Sequence, residues 1–159
     1  MQTYDAKSYL EFLEGYISFL GEVAGAQEEK LEALLSHDVE VMEQSVAKQQ
    51  ATDLEMRQYE HRRVQAQKEA GFGELQMSAI IELLDGADKT RMRGCYDRIR
   101  QRVEQIRFLN DEAMRLVELD LRMIDQTLPL DQREYKGYTG TGQQSVTPAP
   151  KSAIFDSKI

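Results

Sequence analysis

A chain of 159 residues, 41% hydrophobic and 30% charged, makes about one domain with a core, and its three prolines all follow residue 128, which excludes a turn-rich sandwich or barrel for the body. Twenty basic against 28 acidic residues leave −8, divided as −9 over the body and +1 over 129–159, where Arg133, Lys136, Lys151 and Lys158 face Asp131, Glu134 and Asp156. Phosphate affinity needs clustered positive charge, so no nucleic-acid partner is expected.

From Tyr9, apolar residues recur in steps of four and three at Tyr9, Leu13, Tyr16, Leu20 and Val23 and, after Gln27, at Leu31 and Leu34, a heptad seam. Phe12, Ile17, Phe19 and Leu35 widen it into a stripe that can touch two neighbours. Gly15, Gly21 and Gly25 each weaken this helix by roughly 1 kcal/mol relative to alanine, so packing must hold it.

Ser36 to Asp38 forms the next corner, with Asp38 as cap of a second helix running to about Ala70. The seam of that helix, Val39, Met42, Val46, Gln49, Asp53, Met56, Glu60 and Arg63, loses its apolar character after two heptads. Its far end is therefore expected to be the weakly packed end of the bundle. Gly71-Phe72-Gly73 supplies a stop and a flexible corner. Ser78 to Asp85 reads as a short helix capped by Ser78 and closed by Gly86, its Ile80, Ile81, Leu83 and Leu84 plugging one end of the bundle.

A last long helix is expected from about Asp88 to Leu128, roughly 60 Å at about 1.5 Å per residue, and Pro129 ends it. Beyond it, Gly137, Gly140, Gly142 and Thr147 to Pro150 cannot carry a packed core, although Ala153-Ile154-Phe155 is a small apolar island. The expected fold is all-α, an antiparallel up-down-up bundle or coiled coil of three long helices with one short extra helix over 1–128. A flexible Gly/Pro-containing tail is expected over 129–159.

Catalytic chemistry finds little support. Neither His37 nor His61 has a glutamate three residues before it, since those positions are Leu34 and Gln58, so no di-metal Glu-x-x-His unit exists and both histidines read as surface residues. Cys95 lies mid-helix with no histidine in its segment to act as a base, so it reads as a small buried or half-buried residue. A lone cysteine also excludes an internal disulfide or a multi-thiolate metal site and fits a reducing compartment. No cofactor and no metal is expected, and the chain does not read as an enzyme. Asp5 and Lys7 at the start, with Glu11, Glu14 and Glu22 in the most apolar stretch, read as neither signal peptide nor membrane span.

Binding chemistry is better represented. Arg93, Arg100 and Arg107 repeat at seven residues, with Arg91 and Arg98 in a parallel row. These rows suit an acidic partner, but flanking ion pairs with the acids of helix one are the preferred reading, each contributing a few tenths of a kcal/mol. Asn110 interrupts the last helix's seam and serves either as a register pin or in ligand binding. From Leu109 to Leu128 that helix is apolar on more than one side, through Met114, Leu116, Val117, Leu119, Leu121, Met123 and Ile124. Two shorter neighbours cannot cover all of this. It serves as core, as a homodimer interface, or as the seat of an amphipathic guest if helix two frays beyond Met56.

This order of features resembles the FlgN-type flagellar export chaperones: a heptad helix, an Asp-capped second helix ending in the Glu60 to Arg63 stretch, a short helix, Leu109-Asn110 within a long last helix, and then Tyr138-Thr139-Gly140-Thr141-Gly142. One departure is Ala113, where the family commonly has a second asparagine. The resemblance implies a cytoplasmic chaperone of the flagellar type III export system. Such a chaperone binds C-terminal helical ends of the hook-associated, hook-filament junction proteins, keeps them unpolymerised, and delivers them to the export gate and its ATPase. It further implies substrate binding by Leu109, Asn110, Ala113, Met114, Val117, Leu121, Ile124 and Leu128, and gate docking by Tyr135 or Tyr138. The alternatives are a structural coiled-coil homodimer or adaptor, and a carrier of flagellin or of the filament-cap protein.

Overall fold

The computed structural model describes residues 3–127. The junction read at 128/129, the tail, and with them Leu128, Tyr135 and Tyr138 lie outside the described residues. Four helices occur in the order α1 (Ala6–Ser36), α2 (Val39–Glu69), α3 (Met77–Leu83) and α4 (Gly86–Thr127), with no strand among the described residues. Asp5 caps α1 by accepting from the Ser8 N–H at 3.1 Å. His37 closes that helix in a left-handed conformation, φ 53°, and Asp38 then caps α2 by accepting from the Glu40 and Val41 N–H groups, as read from the sequence. The short helix differs from expectation. It starts at Met77 rather than being capped by Ser78, because Met77 is drawn into the core and Gln76 holds the cap position. Gly86 opens α4 instead of closing α3; at φ 56° it makes a left-handed turn, and Lys89 N–H already donates to the Asp85 carbonyl.

Helix α1 is the central element, packed along α4 on one side and α2 on the other. The cross-helix pairs fix the directions. Glu14 meets Arg91, Glu28 meets Gln105 and Lys30 meets Asn110, so α1 and α4 run parallel. Tyr9 meets Gln67, Tyr16 meets Glu60 and Glu29 meets Lys48, so α2 runs antiparallel. The seam read on α1 is the core: Tyr9, Leu13, Tyr16, Leu20 and Val23 are buried with Met92, Ile99, Val103 and Ile106 of α4. Leu35, read as part of that stripe, is exposed. Phe72, read as a flexible corner, is buried and stacks on Tyr4 at 4.9 Å. Together with Met77, Ile80 and Ile81 of α3, it closes the end of the bundle where α1 begins.

The expectation for α2 is reversed. Its buried residues are Met56, Arg63 and Gln67, all in the half read as loose, while none of Val39 to Asp53 is buried. The physical reason is a polar network standing where an apolar seam was sought. Arg63 is 4% exposed and donates through Nε and Nη2 to both Glu60 oxygens, at 2.9 and 2.7 Å, and through Nη1 to Gln67 Oε1 at 3.0 Å. Tyr16 donates to Glu60 at 3.4 Å and Tyr9 to Gln67 Oε1 at 3.2 Å. The Gln67 amide then donates to the Gly73 and Leu75 carbonyls, tying the loop to the helix. Burial alone would lower the Arg63 pKa, but the hydrogen bond to Glu60 and its charge outweigh burial and raise it. Burial, reinforced by the Glu60 charge, pushes the Tyr16 hydroxyl well above its usual range. The network is thus satisfied group by group, and such satisfaction is what lets polar groups sit in a core.

Candidate functional site

With one end of the bundle closed by aromatics and α3, the other end is open. The N-terminal half of α2 supports it poorly, since Val39, Val41 and Val46 are exposed and only Met42, Ser45, Gln49 and Thr52 are half-buried. The 80-residue offset of the Lys30–Asn110 pair carries the last residue of α1, Ser36, to the level of Leu116. Residues 117–127 of α4 therefore extend past both partners by roughly 16 Å. Leu119, Leu121, Met123 and Ile124 are each about half exposed on this extension.

Where the three helices part, a groove of about 330 Å³ opens. Helix α1 contributes Lys30, Ala33 and Leu34, α2 contributes Met42, Ser45 and Val46, and α4 contributes Ala113, Met114, Val117 and Glu118. The lining is almost wholly carbon, with Lys30 at the inner end and Glu118 toward the outer end. Lys30 Nζ donates to Asn110 Oδ1 at 3.0 Å, and burial lowers the Lys30 pKa against the opposing field of Asp53. Three buried side-chain oxygens have no hydrogen-bond partner among the described residues: Gln27 Oε1 and Gln49 Oε1, deeper in the bundle than this pair, and Ser45 Oγ in the groove lining. Gln27 and Gln49 stand at one level by the register of the Tyr9–Gln67 and Tyr16–Glu60 pairs.

Of the residues read as substrate-binding, Ala113, Met114 and Val117 line the groove. Leu109 is buried beneath it, Leu121 and Ile124 lie exposed on the extension, and Asn110 pins α4 to α1 through Lys30 at the groove's inner end. The contributions of α1 and α2 were missed. Their only signal was the apolar surplus of Leu34, Met42 and Val46, and which stretch of α2 faces Ala113 depends on register, which spacing alone did not give.

The arginine rows mostly depart from the preferred reading. Arg91 reaches an acid of α1, Glu14 at 3.5 Å. Arg98 approaches Cys95 Sγ, and Arg100 pairs with Glu104 of its own helix and lies over Tyr96. Cys95 is buried, and His37 and His61 are exposed, as read. The described residues hold no group of three or more His, Cys, Asp or Glu suited to a metal ion, and none of their helices is long and apolar enough to cross a membrane.

Fold and groove together define an all-helical protein with an open apolar groove at one end of its bundle. The family model described as FlgN protein matches residues 1–145, and the chain belongs to that family, the flagellar export chaperones. No curated protein and no solved structure matches it.

Proposed function

We propose that the protein binds C-terminal helical segments of the hook-filament junction proteins in the cytoplasm, holds them unpolymerised, and delivers them to the export gate. It acts by binding and performs no catalysis. The observation that carries this is the groove between Ala33, Met42 and Val117, continued by the apolar extension of α4. An amphipathic helix laid there would cover Met114, Val117, Leu121 and Ile124 at once, with spacings of three and four residues that match one face of a helix. Met42 and Met114 suit a seat that accepts related guests, because unbranched thioethers repack at little cost. Tyr135 and Tyr138, which come after α4 in the sequence, are the candidates for contact with the gate.

Co-purification of the tagged chain against each axial protein tests the reading. Retention of the junction proteins, with loss when their C-terminal segments are deleted, is the expected result. Retention of only flagellin or the cap protein would reassign the cargo. Retention of none, together with a tight dimer through Leu109 to Ile124, would replace the chaperone reading by the homodimer.

A further inference from the structure

The groove has one charged group at its inner end, Lys30, and none of the described residues forms an ion pair with it. Lys30 is half-buried, among the described residues no carboxylate lies within ion-pair distance of it, and its single hydrogen bond goes to the neutral Asn110. An ammonium has three donors, so two remain unused. Holding a half-desolvated cation over an apolar floor is unfavourable for the free protein, and burial indeed lowers the Lys30 pKa; Asp53 of α2, the carboxylate whose field acts on it, is not close enough to neutralise it. On the opposite wall Ser45 Oγ has no hydrogen-bond partner. At the outer end, eight positions further along α4, stands Glu118.

From this placement we infer that Lys30 is a specificity residue, which receives a carboxylate carried within the apolar stripe of the guest helix. This rests on the cargo reading above and adds the chemistry by which one guest, in one direction, is chosen. A guest seated with its acid on Lys30 gains a charge-assisted hydrogen bond in a partly dry site. The same guest reversed along the groove would set that acid near Glu118, about 12 Å away along α4, where like charge repels it. A guest with lysine or arginine at that stripe position is rejected by Lys30 itself.

The test uses the full chain and synthetic peptides covering the C-terminal segments of the junction proteins, with affinity measured by calorimetry. In each peptide that binds, every acidic residue is changed in turn to glutamine and to lysine. One acid is expected to weaken binding about ten- to hundred-fold when neutralised, and more when reversed. In the Lys30→Met protein the same change should have little further effect. Lys30→Glu should bind the acid-to-lysine peptide better than the unmodified one. That exchange of preference is positive evidence which misfolding cannot produce, and circular dichroism of both variants should match the unmodified protein. If peptides bind and none of their acids couples to Lys30, the inference is overturned while the cargo reading stands. If no junction peptide binds at all, both fall.

Discussion

Removing the Arg63 side chain should be among the most damaging single changes in the described bundle. Arg63→Ala leaves Glu60 in place with only the Tyr16 hydroxyl at 3.4 Å, and takes from Gln67 Oε1 one of its two donors. Deleting one partner of a buried ion pair costs about 3–5 kcal/mol. The Glu60 side chain is 22% exposed, so water can solvate part of the abandoned charge, which places the loss near the lower limit, about 3 kcal/mol. With a urea slope of about 2 kcal/mol/M, the midpoint of unfolding followed by circular dichroism should fall by about 1.5 M. The triple change Tyr16→Phe/Glu60→Leu/Arg63→Met, which leaves neither a charge nor a hydroxyl stranded, should cost less than the single change. A shift under about 0.5 M for Arg63→Ala, or a triple variant weaker than the single one, would refute the claim that this network is what seats α2.

Gly25→Ala should stabilise the protein. A β-carbon at that mid-helix position meets nothing within 4 Å, so about 0.5–1 kcal/mol of helix propensity is gained and Tm should rise by about 2–4 °C in a calorimetric scan. A fall in Tm would show that a β-carbon at Gly25 does meet a neighbour. Asp5 gives a pH signature. The Ser8 side chain first, and the Ser8 N–H with it, hold its carboxyl below the usual aspartate value. The folded-state pKa is thus depressed, so the capping contribution is complete above the unfolded value of about 4 and disappears as pH falls through the folded one. Acid titration of stability should therefore be flatter below about pH 4 in Asp5→Ala than in the unmodified chain, and identical acid limbs would rule the cap out as a contributor.

Much of the fold was legible because heptad spacing reports burial directly. Tyr9, Leu13, Tyr16, Leu20 and Val23 were read as a seam and are buried, and Asp38 was read as a cap and accepts two N–H groups. Reading failed where burial is polar. Glu60, Arg63 and Gln67 look like a solvent-facing stretch in a hydrophobicity pattern, and only the arrival of Tyr9 and Tyr16 from α1 makes them core. That inversion moved the open end of α2 from its C-terminal half to its N-terminal half. Met114 and Val117, which belong to the surplus apolar character read on α4, do line the groove, yet the reason given for a free surface there, a frayed far end of α2, is not supported by the register. Lys30 could not have been singled out, since a lysine between Glu29 and Leu31 looks like any solvated flank until Asn110 is seen to hold it in the groove.

The central claim, that the open groove seats the cargo, is tested most directly by changing Val117 to aspartate and measuring affinity for a junction-protein C-terminal segment. Val117 is 41% exposed and supports no core, so helix content and unfolding midpoint should remain those of the unmodified chain. A carboxylate facing the apolar stripe of the guest should weaken binding about thirty-fold or more, the equivalent of about 2 kcal/mol. Unchanged affinity in a folded Val117→Asp protein would contradict the account, and would place the cargo on a surface other than the groove.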